Sequence, residues 1–409
     1  MSDFFQNGAI ATLHGLGTRS LDDLEGELLG FAKQRPMGLV LPSLYSELEG
    51  PALAHIVEVL SQVPYLSQIV IGLDRADREQ YAHALHYFSR LPQHHRVLWN
   101  DGPRLKAIDE QLQTLGLSPR ELGKGRNVWY CFGYVQATGL VDAVALHDCD
   151  ILTYDRALLA RLLYPVVHPR FQYDFCKGYY PRVAAGKLGG RVCRLLVTPL
   201  LRALREMHGE RPFLTYLDSF RYPLAGEFSL RTEVLANLRI PSDWGLEIGV
   251  LSEVQRNYGN RRICQVDVAD NYDHKHQELS EDDASKGLSR MSVDIVKAVL
   301  RKLATQGVVF SAESIRTLKA TYYRQALDFL EAYYHDAIMN GLTLDRDGEE
   351  RAVELFSANI LSAGERFLER PQETPFIPSW NRIQSADPDI FEKLRSAVSQ
   401  DAQDAGGRA

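Results

Sequence analysis

Residues 141–150 read VDAVALHDCD, and the fold is read outward from them. Val141, Ala143, Val144, Ala145 and Leu146 make an apolar run that predicts a strand, which then runs into Asp148-Cys149-Asp150. Side chains at i and i+2 of an extended chain leave the same face, so Asp148 and Asp150 project together where the strand stops. Upstream, residues 37–44 (MGLVLPSL), 67–73 (SQIVIGL) and 96–99 also read as strands. Helix-like stretches lie between them. Pro51 opens one of these, ALAHIVEVLSQV, as proline suits a first helical turn; others cover 77–91, 103–115 and 125–138. Strand–helix units in series predict an α/β fold, a mostly parallel sheet with helices on both faces. Ligands bind such sheets beyond the carboxyl ends of the strands, which is where the DCD stretch stands.

Around this unit the chain is long enough for more than one domain. It has 409 residues and a net charge of −7, so nucleic-acid binding driven by overall charge is not expected. No run approaches the roughly 20 apolar residues that span a bilayer, and the N-terminus lacks a basic segment followed by an apolar one, so neither a membrane nor a secretory signal is expected. Cys131, Cys149, Cys176, Cys193 and Cys264 are scattered without a CxxC and read as reduced thiols of a cytoplasmic protein. The texture changes near the polar run ELSEDDASKG: residues 291–306, 313–339 and 349–370 are long helical patterns without strands. The expected division is therefore an N-terminal helical extension (1–35), a catalytic domain (36–284), a helical C-terminal region (285–398) and a disordered tail (399–409). The C-terminal helices carry no chemical motif, and they are expected to be structural and to support a homodimer.

Two carboxylates at a sheet edge suit a hard divalent cation, Mg2+ or Mn2+, which takes oxygen ligands and commonly shares them with substrate phosphates. The other DxD patterns, at Asp345/Asp347 and Asp387/Asp389, lie in polar contexts and read as solvated surface. Asp273-His274-Lys275-His276 follows the strand-like RRICQVDV and could complete a metal site. Gly123-Lys124-Gly125 opens a helix, where backbone amides and a lysine favour an anion. Gly189-Gly190-Arg191 opens another, where a guanidinium fork suits phosphate or carboxylate. Glu247, in WGLEIG, is a carboxylate in an apolar run and needs a partner or a substrate. In isolation each of these also reads as a turn, a surface pair or an internal ion pair.

Their order is more specific than any one of them. GKG, a strand ending in DCD, KGYYPR, GGRV, TPLL, PLAGE, WGLEIG and a terminal DHKH together resemble the glucosyl-3-phosphoglycerate synthase family over residues 38–277. More loosely, they resemble the mannosylglycerate and mannosyl-3-phosphoglycerate synthases. The resemblance implies a Rossmann-like nucleotide-sugar glycosyltransferase fold of the A type with a C-terminal helical extension. It implies that Pro42, Ser43 and Leu44 hold the nucleobase, with the acidic residue of that loop displaced to Glu47. Lys124 and Gly125 would bind the donor nucleotide, Asp148 and the adjacent Cys149 the donor ribose and sugar, and Glu247 the hydroxyls of the transferred sugar. Asp150 and His274 would ligate the metal. Gly190 and Arg191 would hold the acceptor phosphate, with Lys177 adding charge nearby and the Leu224 backbone close to the attacking hydroxyl. Three positions depart from the family: Cys193 stands in place of threonine, Tyr272 of arginine and His276 of asparagine, the second removing charge from the diphosphate or acceptor region.

The implied reaction moves a hexose, glucose first, from a nucleoside diphosphate sugar to the 2-hydroxyl of 3-phospho-D-glycerate with retention of configuration. Alternatives that stay open are transfer to free glycerate, a mannose donor, and a non-catalytic nucleotide-sugar-binding protein. A dinucleotide oxidoreductase is disfavoured, since no GxGxxG follows the first strand.

Overall fold

A computed structural model describes residues 6, 8–119, 122–242, 245–274, 287–371 and 376–406. The chain forms β1 (Ala11–Leu13), α1 (Leu21–Ala32), β2 (Met37–Leu44), α2 (Pro51–Ser61), β3 (Leu66–Asp74), α3 (Arg78–Phe88), β4 (His95–Trp99), α4 (Pro103–Thr114), α5 (Lys124–Thr138) and β5 (Ala143–Leu146). It continues with α6 (Arg156–Val167), β6 (Phe175–Tyr179), the hairpin β7 (Val183–Ala184) and β8 (Lys187–Leu188), α7 (Thr198–His208), α8 (Pro212–Asp218), β9 (Phe228–Arg231), α9 (Thr232–Leu235), β10 (Ile240–Pro241), α10 (Leu246–Asn257) and β11 (Ile263–Asp267). The last part holds α11 (Gly287–Ala304), α12 (Ala312–Met339), α13 (Arg346–Glu369), β12 (Phe376–Ile377), α14 (Trp380–Ala386) and α15 (Ile390–Asp404).

The central sheet runs β1-β11-β6-β9-β5-β2-β3-β4. Only β9 runs against its neighbours, β5 and β6, so β2, β5, β6 and β11 all end on one edge. The apolar strands bury both faces, as a parallel sheet requires. One core lies under α1, α2, α3 and α6, the other under α5, α7, α8, α10 and the C-terminal helices. Among the described residues no helix is long and apolar enough to cross a membrane, and all five cysteines are free and buried.

The expected domain borders differ from the structure in three places. Residues 1–35 are not purely helical: Ala11–Leu13 pairs in parallel with Cys264–Val266 and covers an edge that β11 would otherwise expose. Residues 399–404 are helix rather than disordered tail, because Arg104 of α4 holds Asp401 at 2.5 Å and Asp404 at 2.6 Å. The C-terminal region is not all helix either, since Phe376–Ile377 pairs with Ile240–Pro241. Its last helices return to the N-terminal half. Trp380 stacks on Trp129 with centroids 4.2 Å apart. Each indole donates to a carbonyl on the other's segment, Trp380 to Trp129 and Trp129 to Pro378, both at 2.9 Å. Asp387 is correspondingly buried, bonded to Lys393 at 2.7 Å and Gln111 at 2.8 Å, not solvated. Asp345 caps α13 by accepting from the Gly348 amide. The expected border at 280–288 lies almost wholly outside the described residues.

Trp380→Ala removes this clasp and leaves a cavity, so it is expected to cost about 3–5 kcal/mol. An unchanged urea midpoint would show that α14 and α15 are not part of the folding unit.

Candidate active site

A short backbone pairing builds the site. Ile151 bridges His274, and the Leu152 amide donates to the Asp273 carbonyl at 2.9 Å. The Asp273 amide in turn donates to Thr153 Oγ1 at 3.1 Å. Residues more than a hundred apart in sequence thus meet beyond the end of β5. His274 Nδ1 lies 3.9 Å from Asp150 Oδ2. Asp150 Oδ1 is shielded from solvent and has no hydrogen-bond partner. Burial, and then the neighbouring Asp148 carboxylate, push the Asp150 carboxyl up to about 7. A shielded carboxylate oxygen without a donor, beside an imidazole, fits a divalent cation. Among the described residues no three His, Cys, Asp or Glu side chains form a ready-made cage. A two-ligand site leaves coordination positions for phosphate oxygens, as Mg2+ and Mn2+ sites commonly do.

Lys124, at the start of α5, reaches across to the same place. Its Nζ is 2.6 Å from Asp148 Oδ1 and 3.4 Å from Glu247 Oε1. Burial alone would push the Asp148 carboxyl up, but the Lys124 ammonium outweighs it and holds the group below the ordinary aspartate range. The same burial disfavours the ammonium, and Asp148 and Glu247 more than compensate, so Lys124 keeps its proton above the ordinary lysine value. Gly226 stands against Asp148, because a Cβ there would lie 2.5 Å from Oδ2. Behind this pair is Glu227, wholly buried, which accepts from the Tyr180 and Tyr272 hydroxyls at 2.6 Å each. The two tyrosine rings stack with centroids 3.7 Å apart. Burial, then Asp148, raise the Glu227 carboxyl.

The acceptor side is assembled differently from the sequence expectation. Gly190 takes φ +73, a left-handed conformation that glycine adopts without strain. The Arg194 amide donates to its carbonyl at 3.0 Å. The helix that follows contains a π turn, Cys193–Val197, before α7. Pro199 lacks an amide, and its ring excludes the usual bond to the Leu195 carbonyl; the Tyr322 hydroxyl of α12 takes that carbonyl at 2.6 Å instead. Arg191 has a carboxylate beside it: its Nε lies 3.5 Å from Glu349 Oε1 of α13, within ion-pair distance but without a hydrogen bond. The same buried glutamate grips Arg194 with bonds of 2.8 and 2.6 Å, and Arg194 lies over the Tyr333 ring. Lys177 is buried, donates to the Ala225 carbonyl and sits 5.5 Å from the Phe228 ring centre. Burial lowers its ammonium to about 8. Its bond to Ala225 ties it to the loop carrying Leu224, and its ammonium lies within electrostatic reach of Glu247, Glu227 and Asp148. The Cys193 thiol lies against the Leu224 backbone and is pushed up to about 12 by burial.

Ser43, with Pro42 and Leu44, ends β2, and the Ser43 hydroxyl donates to the Leu44 carbonyl at 3.0 Å. Glu47 follows in a single 3-10 turn, close enough to Asp150 to help raise its carboxyl. Gly125 is buried in the first turn of α5. Cys149 is buried in the core under α1, α2, α3 and α6, with its thiol against Ser43. His276 lies outside the described residues. Tyr180, Glu227, Arg194 and Glu349 carry no assignment from the sequence. PLAGE and KGYYPR contain the first two, but only the fold shows the carboxylate and the hydroxyls meeting.

No protein-family model matches the chain. A glucosyl-3-phosphoglycerate synthase of Persephonella marina is 46% identical over 404 residues, covering 99% of this chain and 100% of the relative. One of Methanococcoides burtonii is 39% identical, covering 98% of each. Among solved structures, that of glucosyl-3-phosphoglycerate synthase from Mycobacterium tuberculosis in complex with Mn2+, uridine diphosphate and glucosyl-3-phosphoglycerate superposes with a TM-score of 0.52. It is 21% identical and covers 74% of this chain and 90% of that one, so it bears on the fold.

The Asp150 carboxyl must lose its proton to take a cation. Its raised value puts that competition below about pH 7. The apparent Mn2+ dissociation constant should therefore rise at least about tenfold for each pH unit below that point, and more steeply where the His274 imidazole also takes up a proton. Calorimetry between acid and mildly alkaline pH reads this directly. A pH-independent constant for the unsubstituted protein would contradict Asp150 as a ligand.

Proposed function

Since the chain belongs to the glucosyl-3-phosphoglycerate synthase family, we propose that it transfers glucose from a nucleoside diphosphate glucose to the 2-hydroxyl of 3-phospho-D-glycerate. The observation that carries this reading is the meeting of Asp150 with His274, and of Lys124 with Asp148 and Glu247, beyond the end of β5. A divalent cation, Mg2+ or Mn2+, held by Asp150 and His274 would neutralise charge that develops on the leaving diphosphate. Lys124 adds a fixed positive charge in the same cleft, where a preorganised cation is worth more than in water. Asp148 and Glu247 flank it, and their free oxygens are suited to hydroxyls of the ribose and the transferred sugar.

We further infer retention through a front-face path. The carboxylates nearest the cleft are engaged: Asp148 and Glu247 with Lys124, Glu227 between two tyrosine hydroxyls. Asp150 is reserved for the proposed cation, so among the described residues none of these four carboxylates is offered as the nucleophile of a double displacement. The acceptor proton then passes to the departing phosphate oxygen as the new glycosidic bond forms.

A panel of nucleoside diphosphate sugars against 3-phosphoglycerate and glycerate, with product anomers resolved by NMR, tests the reading. The expected product is α-glucosyl-3-phosphoglycerate. Asp150→Ala and His274→Ala should each lower metal-dependent turnover by a factor of about a hundred or more while the far-ultraviolet spectrum stays native. A β product would contradict retention. Full activity of either variant, or in excess chelator, would contradict the metal site.

A further inference from the structure

The acceptor proposed above carries two anionic groups, and the arginine expected to bind one of them, Arg191, is already beside a carboxylate. Arg182 is placed differently. Its carbonyl accepts from the Gly189 amide at 2.6 Å, which ties it to the turn before α7. A Cβ at Gly190 would stand 3.3 Å from Arg182 Cβ and Cγ, so the stem of Arg182 packs on that turn. Its guanidinium carbon is 5.5 Å from the centre of the Tyr272 ring, and Nη1 donates to the Tyr222 hydroxyl at 3.3 Å. The head therefore lies between the Gly190 turn, the tyrosine stack on Glu227, and the loop that leads from Tyr222 to Leu224.

A guanidinium has five N–H donors, and the hydrogen bond described for Arg182 goes to a neutral hydroxyl. Among the described residues no carboxylate lies within ion-pair distance of it. The two buried arginines among these residues each have one: Arg126 has Asp109 and Arg194 has Glu349. The nearest candidate, Glu227, has its oxygens engaged by Tyr180 and Tyr272. A charged fork half-enclosed by aromatic rings without a counter-ion is costly unless an anion arrives to meet it. We propose that Arg182 is an acceptor-binding residue that takes one of the acceptor's anionic groups, carboxylate or phosphate. Arg191, which follows the same turn, has Glu349 beside its Nε. This inference rests on the function proposed above.

Steady-state kinetics of Arg182→Gln and Arg182→Lys test it, with thermal unfolding as the control for folding. Arg182→Gln should raise KM for 3-phosphoglycerate about tenfold to a hundredfold, the range of one charge-assisted hydrogen bond, and lower kcat less. KM for the donor should stay within about twofold, and Arg182→Lys should recover part of the loss. Glycerate lacks the phosphate and glycerol 3-phosphate lacks the carboxylate. The substitution should leave unchanged the weak use of whichever acceptor lacks the group that Arg182 holds. A folded Arg182→Gln with an unchanged KM for 3-phosphoglycerate, or with donor and acceptor KM rising together, overturns the assignment while the proposed reaction stands. Failure of the unsubstituted protein to turn over 3-phosphoglycerate with any glucose donor overturns the reaction and the assignment with it.

Discussion

The ion pair between Lys124 and Asp148, 2.6 Å long, joins the two halves of the site. It links the first turn of α5 to the end of β5, and Glu247 of α10 closes on the same ammonium. Without it, Asp148, Asp150, Glu227 and Glu247 would be carboxylates crowded into one cleft. Like charges at such spacing push one another toward the neutral form. The lysine lets Asp148 stay ionised, and the remaining strain falls on Asp150, whose raised carboxyl and partnerless oxygen await a cation. The sheet serves this pair by ending β2, β5, β6 and β11 on one edge.

The acceptor side depends on a different contact, made by a region that carries no chemical motif. Glu349 of α13 holds Arg194 and stands beside Arg191. Thr343, just before α13, pairs with Gly186 and Leu188 of the β7–β8 hairpin. The helices after residue 287 therefore brace the turn at Gly190 from outside the sheet. A buried, doubly bonded arginine–glutamate pair is hard to break from one side, because the remaining charge is left unpaired. The brace fixes the turn, and it also claims part of the charge that Arg191 could otherwise give to an acceptor.

Much of this was legible in the sequence because it is local. Strand and helix periods predicted the sheet, and the i, i+2 rule placed Asp148 and Asp150 together. His274 was legible through its position after a strand, although only the bridge to Ile151 explains why it meets Asp150. The parts that could not be read locally depend on distant partners. Lys177 reads as a site cation, and what the sequence does not show is that its head is held on the Ala225 carbonyl by a loop nearly fifty residues later. Arg191 reads as a free fork, and the glutamate that stands beside it lies in a helix whose own pattern is only amphipathic. Three residues, Ala11–Leu13, are too few to show a strand period, yet an uncovered edge of β11 recruits them. The tail reads as disordered from its small and polar residues, and the Arg104 ion pairs hold residues 399–404 of it as helix.

The central claim is that the Lys124 charge organises the donor cleft. Calorimetric titration of uridine or guanosine diphosphate, with Mn2+ present, into the unsubstituted protein and into Lys124→Met tests it most directly. Loss of a fixed cation facing a diphosphate should weaken binding by about tenfold to a hundredfold. Lys124→Arg should retain more affinity than Lys124→Met. Equal diphosphate affinity in Lys124→Met and the unsubstituted protein would contradict the account.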